Sequence, residues 1–239
     1  MRTLVIIPTY NERENIAAMI EKVLSLEGAY DLLVIDDGSP DGTAEIVRQY
    51  RTHHPERLHL IERSGKLGLG TAYLTGFRWG LERGYEAICE MDCDFSHNPD
   101  DLKRIVGALE AGADVAVGSR YVKGGKVVNW PLSRLAISYF GSLYVRMVTW
   151  MPVHDTTAGF VGYRREALER INLDAVEMKG YGFQIEMKYT AWRLGLQIAE
   201  IPITFTERRV GSSKMSGGIF QEAFRGVLKL RFRTIRPRP

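Results

Sequence analysis

Asp92-Cys93-Asp94 places two carboxylates one residue apart at the end of an apolar run, residues 88–91. In extended backbone, positions i and i+2 face the same side, so the pair can converge on one hard divalent cation. Mg²⁺ takes one or two protein carboxylates and fills its shell with substrate phosphates, and open α/β sheets bind ligands beyond the carboxyl ends of their strands. The motif therefore points to a metal-bound, phosphorylated donor.

Two neighbouring segments carry complementary chemistry. In Pro8-Thr9-Tyr10-Asn11-Glu12 and in the run from Asp36-Asp37-Gly38-Ser39 to Thr43, Tyr10 can stack on a base while Glu12 and Asp36 accept hydrogen bonds from base or ribose. Ser39 and Asp41 read as caps, which leaves Asp36 for a ligand. Residues 66–73 lack the third glycine of a dinucleotide fingerprint and the Gly-Lys-Ser/Thr of a P-loop; they read as a close-packed helix start with Lys66 as a candidate phosphate contact. Glu90, an acid inside an apolar strand, requires a raised pKa or a partner. Gln184 and Glu186 read equally as capping and surface groups or as site groups. The histidines show no ligand spacing, and His97 is expected to be structural.

Several elements must position these groups. Apolar runs at 4–7, 32–35, 58–61, 87–91 and 115–117 alternate with helical patterns, which predicts an α/β fold with a mostly parallel sheet and helices on both faces. Asn98-Pro99-Asp100-Asp101 predicts a helix start just after the acidic pair. After about residue 120 the alternation stops, and Gly124-Gly125 marks a mobile loop. Residues 132–151 form one or two helices with a wide apolar face, interrupted by Arg134 and Arg146. That is too charged to span a bilayer, and it reads as an internal helix pair or an interfacial helix.

Near the C-terminus Ile219, Phe220, Ala223, Phe224, Val227, Leu228 and Phe232 share one helical face, with Arg225, Lys229 and Arg233 on another. Such a helix can dock on anionic lipid or on the protein's own core. Nucleic acid is disfavoured because no recognition motif accompanies the charge.

The 239 residues, 45% hydrophobic, fit one large α/β domain or one domain plus a small appendage, and disorder is not the default for such a composition. Net charge is +3, yet residues 209–239 hold eight Lys/Arg and one acid, Glu222, so the first 208 are net negative. Cys89 and Cys93 match no zinc spacing, and no signal-peptide pattern precedes the first strand; both features lead to an expected cytoplasmic location.

The order of these motifs, together with Gly118-Ser119-Arg120-Tyr121, Asp155-Thr156-Thr157-Ala158-Gly159-Phe160 and Gly211-Ser212-Ser213-Lys214, resembles inverting family 2 glycosyltransferases, and more closely dolichol-phosphate (polyprenol-phosphate) mannose synthases. The resemblance implies a GT-A type nucleotide-sugar-binding domain over 1–215, with an acceptor loop and interfacial helices at about 122–151. A basic amphipathic helix and tail would follow at 216–239. It implies a nucleotide pocket of Pro8, Tyr10, Glu12, Val34 and Asp36. Asp92, Cys93 and Asp94 would hold the diphosphate and Mg²⁺ or Mn²⁺, with Asp94 as direct ligand and Ser96 as a weaker, neutral oxygen ligand. Arg120, Arg208 and Lys214 would approach phosphates, and Arg134 would serve the acceptor side. Asp155 would bind mannose hydroxyls or order the acceptor loop.

The implied reaction moves mannose from GDP-mannose to polyprenyl or dolichyl phosphate, by an enzyme peripheral on the cytoplasmic face of a membrane, alone or with a membrane-anchoring partner. UDP-glucose as donor and a non-catalytic nucleotide-sugar-binding regulator are the alternatives. A glycoside hydrolase fits poorly, because carboxylates at i and i+2 are too close to flank a sugar at the ~5 to 9.5 Å hydrolysis requires.

Overall fold

The computed structural model describes residues 1–178, 180, 182–207 and 226–238. Five strands fall where the apolar runs predict them: β1 (Thr3–Thr9), β2 (Tyr30–Asp36), β3 (Leu58–Glu62), β4 (Ala87–Glu90) and β5 (Val115–Ser119). Between them run α1 (Arg13–Ser25), α2 (Thr43–His53), α3 (Leu69–Glu82) and α4 (Leu102–Glu110). The second half adds β6 (Lys126–Val128), α5 (Leu132–Thr149), β7 (Val161–Arg164), α6 (Arg165–Arg170), α7 (Gly182–Arg193), β8 (Ile198–Pro202) and β9 (Thr204–Thr206).

The seven-stranded sheet has the order β3-β2-β1-β4-β7-β5-β8. Only β7 runs antiparallel, inserted between β4 and β5. The sheet is therefore larger than the five runs imply. Its later strands are short, and β8 is half-buried, so neither alternation nor a long apolar run marks them. One core lies on each face: Ile6, Ile88, Phe77 and Phe183 on one, and Val5, Ile20, Cys89, Leu102, Ile105 and Leu109 on the other.

Helix α3 lies close against the sheet because glycines line its inner face. A Cβ on Gly76 would sit 2.6 Å from Ile6 Cδ1, one on Gly80 2.6 Å from Ile88 Cδ1, and one on Gly70 2.8 Å from the Phe183 ring. The glycine-rich segment is thus a packing device, as its failure to match a phosphate loop predicts. Asn98 caps as expected, its Oδ1 accepting from Asp100 N at 3.1 Å, and a short 3₁₀ turn (Pro99–Asp101) leads into α4.

Helix α5 is a single helix whose buried residues are Ser142, Val145 and Thr149, while Leu132, Ile137, Tyr139, Phe140 and Met147 are exposed. No helix of the described residues is long and apolar enough to cross a membrane. Residues 226–232 are helical and dock on the protein itself. Val227 and Leu230 join Val145, Met151, Val153, Ile185 and Tyr189 in a third cluster. Leu228 and Phe232, expected on the same face as Val227, are exposed instead. The expected Ile219, Phe220, Ala223, Phe224 and Arg225 lie outside the described residues.

Candidate active site

The acidic pair lies just past β4, which ends at Glu90 rather than at Met91. Asp92 and Asp94 sit on irregular backbone, and Phe95, between Asp94 and Ser96, takes the left-handed conformation with φ 59°. For a bulky residue that costs on the order of 1–3 kcal/mol, a strain that clusters at functional sites. Asp94 is buried and its Oδ1 accepts from Ser96 N at 3.0 Å; Asp92 is half-buried.

Cys93 faces the other way. Its thiol is packed in the core, and burial raises its pKa well above the ordinary value. Cys93 can therefore offer a ligand only its backbone. Val34 is likewise wholly enclosed in that core, so its expected place in the pocket is not a side-chain contact. Asp36 also departs from expectation. It is 1% exposed, and its carboxylate accepts from Thr9 Oγ1 (2.8 Å), Ser39 N (2.8 Å) and Ser39 Oγ (2.6 Å), so it is not left over but ties the β1 and β2 ends together. Asp41 does cap: its Oδ1 accepts from Thr43 N and its Oδ2 from Arg13 N.

Pro8, Tyr10 and Glu12 leave β1 partly exposed at the same sheet edge. Lys66 Nζ stands 5.2 Å from the centroid of the Tyr10 ring, and Glu12 Oε2 accepts from Asn15 Nδ2 at 2.9 Å. His97, expected to be structural, stacks on Phe160 at 5.2 Å, and burial lowers its pKa to about 4; it also lines the cavity beside the acidic pair, with Asp92 N donating to its Nδ1 at 3.4 Å.

A cavity of about 530 Å³ opens from the acidic pair. Asp92, Asp94, Ser96 and Gln184 line its polar end, while Ile137, Tyr144, Val145, Ile185 and Val227 line its apolar side; Arg120 and Arg134 belong to the same wall. Arg120 also borders a more open groove of about 600 Å³ along Leu132, Leu135, Ala136 and Tyr139 of α5.

Both arginines are held by carboxylates. Asp155, wholly buried, accepts from Arg120 Nε (2.7 Å), Nη2 (2.6 Å) and backbone N (2.9 Å), and Thr157 Oγ1 takes a further bond from Nη2 at 2.9 Å. The guanidinium more than offsets the burial of Asp155 and holds its carboxyl below the usual range. Arg134 pairs with Glu207 and lies 4.1 Å from the centroid of the Trp130 ring. Arg208 and Lys214, the other expected phosphate contacts, lie outside the described residues.

The two-stranded sheet of β6 and β9 makes this wall. Thr206 N donates to Ser96 O (3.1 Å) and Glu207 N to Val128 O (3.0 Å), so β9 is clamped between the acidic segment and β6. Nothing in the sequence marks this element or Phe205 in the wall, and Trp130 and Thr157 stand out there only as parts of longer motifs, with no role of their own. A three-residue strand leaves no periodic signal.

Glu90 has both features its position demands. It is fully buried, burial raises its pKa to about 8, and Gln184 Nε2 donates to its Oε2 at 2.6 Å. Gln184 thus faces both Glu90 and the cavity. Glu186 is neither a cap nor a surface charge: fully buried, it accepts from Glu177 N, Met178 N and Arg233 Nη1.

The donor set suits a hard cation. Among the described residues no three His, Cys, Asp or Glu side chains gather for a metal. Two carboxylates at a cavity mouth match an ion that completes its shell with substrate oxygens and water.

Residues 4–171 match the profile of Glycosyl transferase family 2. The chain is 51% identical over 222 residues to the polyprenol monophosphomannose synthase of Mycolicibacterium smegmatis, covering 93% of this chain and 84% of that protein. It is 49% identical over 229 residues to the undecaprenyl-phosphate mannosyltransferase of Micrococcus luteus, covering 96% and 93%. With the dolichol-phosphate mannosyltransferase of Pyrococcus furiosus it shares 35% identity over 235 residues, 96% of this chain and 64% of the relative. The fold resembles glucosyl-3-phosphoglycerate synthase of Mycobacterium tuberculosis, solved with Mn²⁺ and UDP-glucose, with TM-score 0.72, 20% identity and coverage of 95% and 78%.

Proposed function

The chain belongs to glycosyl transferase family 2 and is a glycosyltransferase; from that premise we propose that it transfers mannose from GDP-mannose to a polyprenyl or dolichyl phosphate, with inversion at the anomeric carbon. The observation that carries this reading is the cavity itself. Asp92 and Asp94, which suit a metal-bound sugar diphosphate, line it together with apolar side chains such as Ile137, Val145 and Ile185 and with Arg120 and Arg134, a combination that supports a donor diphosphate and an anionic head on a prenyl tail meeting in one cavity.

The chemistry needs no general base. A lipid monophosphate is already largely dianionic near neutral pH, since its second pKa is ~6. One of its oxygens forms a bond to C1 of mannose as the C1–O bond to GDP breaks, and the electron pair departs with GDP. Attack opposite the leaving group turns an α-linked donor into a β-mannosyl phosphate. The site must bring two anions together, a task for fixed cations that offset their charge. Arg120 and Arg134, with Arg208 and Lys214, take this role, and Tyr10 and Glu12 receive the nucleoside. A bound Mg²⁺ or Mn²⁺, held by Asp92 and Asp94 with Ser96 beside them, would neutralise charge on the departing diphosphate.

Peripheral attachment to the cytoplasmic face of a membrane fits the exposed apolar side chains of α5, from Leu132 to Met147, and those of Trp150 and Phe232. A membrane-anchoring partner would serve the same end.

The test is a partition assay with purified protein, polyprenyl phosphate, Mg²⁺ or Mn²⁺, and radiolabelled GDP-mannose or UDP-glucose in parallel. Label should enter the organic phase from GDP-mannose and not in the presence of EDTA. Label from UDP-glucose alone would overturn the mannose assignment, and transfer from neither would overturn the reaction.

A further inference from the structure

Lys188 on α7 is fully buried, and its ammonium donates to Ala158 O (2.7 Å), Gln184 O (3.2 Å), Gln184 Oε1 (3.3 Å) and Thr156 O (3.4 Å). Burial lowers its pKa to about 8. A buried cation is costly, and an apolar side chain of similar length would fill the same space at lower free energy if packing were the only requirement. What an apolar chain cannot do is hold carbonyls from two segments of backbone at once.

The two carbonyls outside α7 belong to the turn that carries Asp155 and Thr157, the residues that grip Arg120. The same turn is fixed at its start by Glu200 on β8, whose Oε1 accepts from Asp155 N at 3.0 Å. On its other side the ammonium meets Gln184, which donates to Glu90, two residues before Asp92. One cation thus joins the segment that bears the acidic pair to the segment that orients Arg120.

We infer that Lys188 is a positioning residue for the transfer reaction proposed above, setting the separation between the Asp92/Asp94 edge and the Asp155–Arg120 pair. The inference rests on that reading of the reaction. It acts through geometry: a misplacement of about 1 Å between reacting groups can cost on the order of 10²-fold in rate. Donor and metal binding, made largely at the β1 and β4 ends, should change little.

The experiment compares Lys188→Met, Lys188→Arg and Glu90→Met with wild type by transfer kinetics, by calorimetric titration with GDP and Mn²⁺, and by thermal unfolding. In Lys188→Met the kcat should fall by roughly 10- to 100-fold, with the KM for donor and the affinity for GDP close to wild type. Lys188→Arg should recover most of the rate. A folded Lys188→Met with wild-type kcat overturns the inference, and so does a kcat loss matched by an equal loss of GDP affinity. If Lys188→Met does not fold, Glu90→Met decides: it keeps the ammonium and Gln184 but cuts the link between them and the strand before Asp92, at a residue that does not line the cavity. A reduced kcat with unchanged GDP binding supports positioning, and a wild-type kcat refutes it. Wild-type protein that transfers no sugar to polyprenyl phosphate refutes the reaction itself, an outcome distinct from an active wild type and an unaffected variant.

Discussion

Asp155 holds Arg120 through three hydrogen bonds from one residue, two from the guanidinium and one from the backbone amide, with the carboxylate wholly buried and the arginine side chain 8% exposed. A pair this enclosed fixes the arginine's direction as well as its charge. Removing one partner leaves the other charge buried and unmatched. Asp155→Asn should therefore destabilise the fold by about 3 kcal/mol or more, measured by urea unfolding at neutral pH, and should lower transfer even where the protein remains folded.

The same pair makes a pH prediction. The folded pKa of Asp155 is depressed below 3.8, its value when exposed, so near that pH the unfolded chain binds more protons than the folded one. Its stabilisation is complete above about pH 4 and is lost as pH falls through the lower, folded pKa. The stability gap between wild type and Asp155→Asn should be constant from pH 7 to 5 and narrow in stronger acid. A gap that stays fixed down to pH 2 would contradict this assignment.

Asp94 tests the metal edge. Asp94→Ala should remain folded, because the residue sits on an irregular segment beside the cavity rather than in the sheet. Turnover should fall at least about 10²-fold, the scale of losing a group that stabilises transition-state charge. Chelation of the wild-type protein should give a similar loss, restored by added Mn²⁺ or Mg²⁺. Full activity in EDTA would remove the metal from the reaction.

Helix α3 offers a test of the fold alone. Gly76→Ala forces a methyl to within 2.6 Å of Ile6. Overpacking of this kind costs about 1–3 kcal/mol, to be read as a lowered urea midpoint with an unchanged slope.

The membrane reading rests on α5, which exposes Leu132 (83%) and Phe140 (63%) while burying Ser142 and Thr149. Replacing both apolar residues by glutamate should weaken sedimentation with anionic phospholipid vesicles by about tenfold or more, without lowering thermal stability. High salt should weaken wild-type binding only to the extent that the basic residues contribute. Unchanged vesicle binding by the double variant would move the contact elsewhere.

Sequence alone determined the first half of this protein. Long apolar runs and capped helical patterns place β1 to β5 and α1 to α4, because a buried strand and an amphipathic helix each impose a local periodicity that a reader can count. The acidic pair and the residues after β1 were legible for a related reason: a site at the carboxyl edge of a parallel sheet lies immediately after its strands. Tertiary structure decided the rest. That Cys93 and Val34 face the core, that Asp36 is held by Thr9 and Ser39, and that Glu90 finds Gln184 depend on which side each chain presents and what meets it there. The pairing of Arg120 with Asp155 spans 35 residues, and Lys188 reaches Ala158 across 30. No local pattern encodes such distances, since they arise only when the sheet closes and brings separate loops to one edge.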